Sequence, residues 1–297
     1  MSHAISHAVG ADFSRPCDEE VEPNLTRLDD AEKWYGAPLA FVCRYIDTGG
    51  GAAIPLTPQE VNWLVNTRRK PLLPIYSDSN INGGTVGTYE LGVTDARRAV
   101  VQAREIGIPI GTYLTGDVEG KATVTGDWVR GWCDGMRPTP YDGAGILYGL
   151  CGPDGNLGKS YLEALAADKT GNVQRLILWD AKWVSKSGFS YTEVPQWHPD
   201  IPDLQTWGAV RIWQTTGGVY GGVCGLDLID KALLVPGAGL VTPLVTPSPS
   251  LPSPTNSPVI TPPPVTPSLA AVLASAVSDA ENTFWSIKTA QGMVAGS

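Results

Sequence analysis

Histidine, methionine and phenylalanine are scarce in these 297 residues, with 3, 3 and 4 copies, and 30 acidic side chains outnumber 21 basic ones. Each shortage excludes something. With His only at positions 3, 7 and 198, no His pair stands at metal-ligand spacing, and there is neither a Gly-x-Ser-x-Gly elbow nor a Walker loop. The sequence therefore implies no metal and no cofactor. A net charge of -9 lacks the clustered Lys and Arg that bind nucleic-acid phosphates or anionic lipid. The basic run Arg68-Arg69-Lys70 is short and reads as a solvated helix end. No segment reaches about 18 uninterrupted apolar residues, which excludes a spanning helix. Met1 to His7 has no basic stretch followed by an apolar one, so no signal peptide is expected. Cys17, Cys43, Cys133, Cys151 and Cys224 are odd in number and widely spaced, which favours buried free thiols over a disulfide framework.

What is present is a recurrence of β-branched and aromatic runs at intervals filled by helical patterns, the mark of repeated βα units and a parallel sheet. The runs are 9–14, 39–46, 71–77, 109–115, 145–150, 175–179, 210–214 and 225–228. Eight strands close a barrel, so the fold class expected is α/β, a (β/α)8 TIM-type barrel. Helix starts fall between them: Thr57 with Pro58 at the first helical position, Thr94, Thr125 and Leu157. Gly107 suits a left-handed helix stop. The connection from Trp183 to Gly208 is long, and carries Phe189, Tyr191, Trp197 and His198, so it either shapes the site or packs as a structural lid.

Composition divides the chain into a flexible terminus (1–7), the barrel (8–240), a linker (241–267) and a C-terminal helical segment (268–297). Ten of the 25 prolines fall between Thr242 and Pro267, which implies an extended linker. Beyond it, Leu273, Val277, Ala280, Phe284 and Ile287 follow the 4, 3, 4, 3 spacing of a short coiled-coil seam. Residues 268–291 are therefore expected to join copies of the chain or dock it onto a larger assembly.

In a parallel barrel the carboxyl ends of the strands gather around one cavity, and acids track those ends here: Asp12, Asp47, Asp117 with Glu119, Asp180 and Asp227. Positions i and i+2 of a strand share a face, placing Asp117 and Glu119 about 7 Å apart along the backbone. Two acids that close raise one pKa and leave a proton donor beside a carboxylate, the pair that glycoside hydrolysis needs. Gly116 and Gly120 flank the triplet and leave room for a polymer. Trp179, Trp183 and Trp213 could stack on sugar rings or fill the core. Tyr45, Tyr76, Tyr113 and Tyr148 take equivalent places in four strands, where their hydroxyls could line a cleft. Arg44, inside a strand, needs a carboxylate partner, for which Asp12 or Asp47 is available. The run from Gly217 to Gly222 lacks a following helix and Lys, and reads as a flexible loop rather than a phosphate cradle.

Several short pieces in one order carry a resemblance: Gly10-Ala11-Asp12-Phe13-Ser14, Arg44-Tyr45, Asp117-Val118-Glu119, Leu178-Trp179-Asp180-Ala181-Lys182-Trp183, Ile212-Trp213-Gln214-Thr215-Thr216 and Leu226-Asp227-Leu228. Together they span about 220 residues. The chain resembles the glycoside hydrolase family 25 lysozymes, and more closely the related glycoside-hydrolase-like domain of actinobacteria and their phages. That resemblance implies a peptidoglycan-directed glycosidase with Glu119 as general acid, Asp117 assisting, and Asp12 and Asp227 completing an acidic floor. Substrate contacts would come from Asp180, Trp179, Trp183, Gln214, Arg44, Tyr45, Tyr76 and Tyr148. The chain departs from the lysozymes at Ile229, where they usually carry Asn, and at Asp180, a place often apolar in them. The expected setting is the cell wall, reached as a phage lysin or virion component, and otherwise the cytoplasm. The alternative is a non-catalytic glycan-binding or structural component that keeps the barrel.

Overall fold

The computed structural model describes residues 7–47, 53–77, 86–118, 124–137, 139, 141, 145–153, 155–184, 187–199, 201, 204–219 and 224–234. The linker and the segment 268–297 lie outside the described residues, as do Glu119 and Gly120.

Eight strands close a barrel: β1 (His7–Phe13), β4 (Val42–Tyr45), β5 (Leu72–Tyr76), β6 (Thr115–Asp117), β7 (Ile146–Gly149), β8 (Ile177–Asp180), β9 (Val210–Gly218) and β10 (Cys224–Asp230). A small hairpin, β2 (Glu20–Glu22) with β3 (Leu25–Thr26), stands apart from it. From β1 through β4 to β9 every neighbouring pair is parallel, whereas β10 runs antiparallel to both β9 and β1. The α/β barrel is thus mixed, its last unit a hairpin instead of a βα crossover. Only ten residues separate Gln214 from Gly225, fewer than the dozen or so a parallel return needs.

Helices α1 (Arg27–Tyr35), α2 (Pro58–Asn62), α3 (Tyr89–Glu105), α4 (Gly126–Met136), α5 (Leu157–Ala167) and α6 (Leu204–Ala209) accompany the strands. Their starts follow capping chemistry. Thr57 and Thr125 accept from the backbone N–H three residues on, and Pro58 fills the first helical turn where its missing N–H costs nothing. Thr26 forms a reciprocal capping box with Asp29. Thr94 is no cap. Helix α3 begins a turn and a half earlier on Thr88, and the Thr94 hydroxyl instead donates to the Glu90 carbonyl. Gly107 ends that helix at φ 78°, as expected. Expected strand 109–115 is displaced to 115–117, because Gly111 at φ 86° and Pro109 make a turn there.

Alternation along each strand sorts side chains into two layers. Ala8, Phe41, Cys43, Leu73, Ile75, Ile146, Tyr148, Ile177, Trp179, Ile212 and Ile229 fill the lumen. Leu72, Tyr76, Leu147, Leu178, Val210 and Leu226 face outward against the helices, joined by Trp128, Trp132 and Val61 from the helical side. Below Asp12, Gly10 admits the Phe41 ring: a Cβ there would stand 2.4 Å from it.

The long connection after β8 is mostly packing. Phe189 meets Tyr35 edge-on at 6.3 Å, the Tyr191 N–H donates to the Tyr35 carbonyl, and Trp197 stacks on His7 at 4.1 Å. His7 therefore belongs to β1 and not to a flexible terminus. All five cysteines are buried thiols.

Candidate active site

Outward-facing positions fall out of the site first. Arg44 is fully buried behind the wall, where it grips Glu60 through Nε at 2.7 Å and Nη2 at 3.1 Å. Its remaining donors reach the Phe13 and Ile54 carbonyls. The partner is thus Glu60 of α2, not Asp12 or Asp47, and Arg44 faces away from the lumen. Glu60 also accepts the Cys17 N–H at 2.7 Å, so the pair fastens α2 to β4 and to the loop after β1. Tyr76 faces outward as well, stacked on Trp132 at 6.3 Å. It pairs with Gly116, whereas Tyr45 pairs with Ile75, and that single residue of offset reverses its side. Gly116 makes room for Leu147 and Trp132 rather than for a polymer. Asp180 points away from the lumen, fully buried, and accepts the Cys151 N–H at 3.0 Å to hold the loop after β7. Asp47 likewise accepts the Ser77 N–H at 3.0 Å, closing the end of β5. Trp213 is outward and buried, its indole N–H bonded to the Lys182 carbonyl at 2.8 Å.

The inward positions converge. A cavity of about 130 Å³ opens at the carboxyl end of the parallel strands, lined by Asp12, Ser14, Tyr45, Tyr148, Trp183, Gln214, Gly217, Gly218, Cys224 and Gly225. At its floor, Gln214 Nε2 donates to Asp12 Oδ1 at 3.1 Å. Gln214 Oε1 accepts twice, from the Tyr148 hydroxyl at 2.6 Å and from the Trp183 indole N–H at 2.7 Å. Trp183 stays half-exposed, with its ring lying against Gly217, where a Cβ would stand 2.0 Å away. Gly225 is needed for the same kind of reason, since a Cβ there would stand 2.3 Å from Asp12 Oδ1 and 2.6 Å from Gln214 Nε2.

Below the cavity Asp227 is fully buried, with Asp12 and the Trp179 indole N–H as its polar neighbours. Neither makes a fully formed hydrogen bond to it in this geometry, and both its carboxyl oxygens are shut off from solvent. Burial pushes the Asp227 carboxyl well above the usual carboxylate range, and the charge of Asp12 adds to this. Burial raises Asp12 too, but N–H groups of Gln214 and Gly225 and the Asp227 carboxyl oppose that rise. Asp12 lies deep among barrel atoms yet keeps an opening onto the cavity. Trp179 is fully buried, its ring 4.5 Å from that of Tyr148, so it supports the floor without lining the cavity. Asp117 enters the same lumen from β6, level with Tyr148 and Trp179. Glu119 lies outside the described residues.

Seven residues singled out in the sequence, Asp12, Tyr45, Asp117, Tyr148, Trp179, Gln214 and Asp227, thus face one lumen, with Trp183 on its rim. Ser14, Gly217, Gly218, Cys224 and Gly225 were missed as lining residues. For Gly225 a signal existed, because glycine within a strand marks close approach of another group. Among the described residues, no group of three or more His, Cys, Asp or Glu could hold a metal ion. No helix among them is long and apolar enough to cross a membrane.

A closed barrel with paired acids, a glutamine and aromatic rings at the carboxyl ends of its strands defines a protein of the glycoside-hydrolase-like barrel class. The Rv2525c-like glycoside hydrolase-like domain model matches residues 32–231, and the chain belongs to that family. A solved structure of an uncharacterized B. stearothermophilus protein, determined at 1.07 Å, is similar with a TM-score of 0.63 and 22% identity. The match covers 79% of this chain and all of that one. At that identity the likeness shows the fold. No curated protein matches the chain.

Proposed function

We propose that the protein is a glycoside hydrolase of the lysozyme type, directed at peptidoglycan or a related cell-wall glycan. The observation that carries this reading is the joining of a buried Asp12–Asp227 pair to an aromatic-walled cavity through Gln214. Glycosidic cleavage needs a carboxylic acid to protonate the leaving oxygen, and a carboxylate to attack the sugar, position water or stabilise the oxocarbenium-like transition state. Asp12 supplies a carboxylate that opens onto the cavity. Asp117 enters the lumen from β6, and Glu119, two residues further on, is assigned as the general acid. Tyr45, Tyr148 and Trp183 offer an aromatic wall and hydroxyl groups, the lining that sugar rings favour.

The test is release of soluble muropeptides from purified cell wall by the wild type and by Glu119→Gln. The expected outcome is release by the wild type and a fall of about 10²- to 10⁴-fold in the variant, the usual weight of a general acid. Equal release by both removes Glu119 from the mechanism. Binding to the wall with no release by the wild type would replace the hydrolase reading with that of a glycan-binding module.

A further inference from the structure

We infer that Gln214 is a positioning residue that settles where the proton of the Asp12–Asp227 pair resides, keeping Asp12 as the carboxylate and Asp227 as the acid, and that it locks Trp183 into the same unit. The inference deepens the glycosidase reading at that site, but its geometry stands without it.

Gln214 Oε1 accepts from two neutral donors, the Tyr148 hydroxyl and the Trp183 indole. The amide cannot be reversed, because the Trp183 indole is a donor only and would then face an N–H, while the amide oxygen would face the Asp12 carboxyl oxygen. Gln214 Nε2 must then face Asp12 Oδ1, and an N–H pointing at a carboxyl oxygen favours the ionised form. The Gly225 backbone N–H acts in the same sense on Asp12. Across the pair, Asp227 lies deeper and has the Trp179 indole N–H and the Asp12 backbone N–H beside it, with no formed hydrogen bond to either carboxyl oxygen. Two neighbouring buried carboxyl groups cannot both ionise cheaply, so the proton stays on the member with fewer formed hydrogen bonds. That member is Asp227, and its hydroxyl is then directed at Asp12.

Other groups near the pair do not supply a competing charge. Cys43 of β4 and Cys224 of β10 are thiols held neutral by burial. Tyr45 and Tyr148 are phenols at the cavity wall, Asp117 faces the lumen from β6, and Arg44 is turned to the far side of β4 against Glu60. The device has a geometric cost: residue 225 must be glycine, since any Cβ would enter the space of the Asp12–Gln214 bond.

The test is carbon-13 NMR of the aspartate carboxyl groups across pH in the full chain, with Asp227→Asn and Asp12→Asn assigning the signals. In the wild type at neutral pH, Asp12 is expected ionised and Asp227 protonated. In Gln214→Met the Asp12 midpoint should rise by about one pH unit or more, a tenfold or greater change in its acid equilibrium, and the Trp183 indole proton should exchange faster with solvent. Gln214→Glu keeps the shape and both acceptor contacts but turns an oxygen toward Asp12, so it too should raise the Asp12 midpoint while leaving the Trp183 proton protected. An Asp12 midpoint that stays in place in both variants, or a wild-type Asp12 protonated at neutral pH, overturns the assignment. None of these readouts needs a substrate. Loss of the hydrolase reading would leave them standing, and their failure would not by itself remove cleavage.

Discussion

At the scale of single residues, the site is governed by which carboxyl groups are solvated. Asp227 is the deepest acid of the lumen, and its raised pKa has a definite consequence for stability. A group whose folded pKa lies above its unfolded value, near 3.9 for Asp, binds a proton on folding. Its contribution is complete below that unfolded value and is lost as pH rises toward the folded pKa. Urea unfolding at pH 5 and pH 8 should therefore show the wild type losing stability over this window, and Asp227→Asn losing less. Equal losses in both proteins would mean that Asp227 ionises freely in the native state. Gly225→Ala makes a second residue-scale prediction: the added methyl group displaces Asp12 or Gln214, costing about 1–3 kcal/mol by overpacking and loosening the Trp183 ring, which its fluorescence would report.

Residue parity is also where the sequence was least legible. Arg44 and Tyr45 are adjacent, as are Trp179 and Asp180, and one member of each pair faces the lumen. In a strand buried on both sides, hydrophobicity does not say which face is which. The partner that would have decided it for Arg44, Glu60, is 16 residues away on a helix. Tyr76 shares its residue type with Tyr45 and Tyr148 but stands one position out of register with them. Gln214, by contrast, was legible as part of a motif, while its role as a hub depends on groups from β1, β7 and the loop after β8, which only the fold brings together.

At the scale of elements, apolar runs located seven of the eight barrel strands with overlapping bounds, and Thr57 and Thr125 marked two helix starts; β6 is the exception, because Pro109 and Gly111 make a turn where the strand was expected. Strand direction carries no such signal. The antiparallel β10 could be read only from the short span between Gln214 and Gly225, which admits a hairpin and no crossover helix. The reversal matters for the site: it places Cys224 and Gly225 in the cavity lining, Gly225 level with Asp12, and sinks Asp227 beneath Asp12. Elements are tied to the barrel by a few buried polar contacts, of which Arg44 with Glu60 is the strongest case. Breaking one side of a buried pair leaves an uncompensated charge and typically costs about 3–5 kcal/mol. Glu60→Gln should lower the urea midpoint accordingly. If Glu60→Gln matched the wild type, the pair would not be fastening α2.

At the scale of the whole molecule, the described elements run from His7 to Leu234. The proline-rich stretch and the heptad-like segment 268–291 are read from composition and spacing alone. We propose that this segment joins copies of the chain or docks it to a larger assembly. Sedimentation of the full chain beside one ending at Val241 tests the first possibility: a heavier species for the full chain only is expected, and equal monomer masses would contradict self-association.

The central claim is that the lumen acids cleave a glycan, and Asp12 is the acid whose surroundings are best defined. The most direct measurement is reducing-end release from purified cell wall by the wild type, Asp12→Asn and Glu119→Gln, with each variant's fold checked by its unfolding midpoint. The account predicts release by the wild type and a fall of about 100-fold or more in both variants. Release by folded Asp12→Asn and Glu119→Gln at the wild-type rate would contradict it.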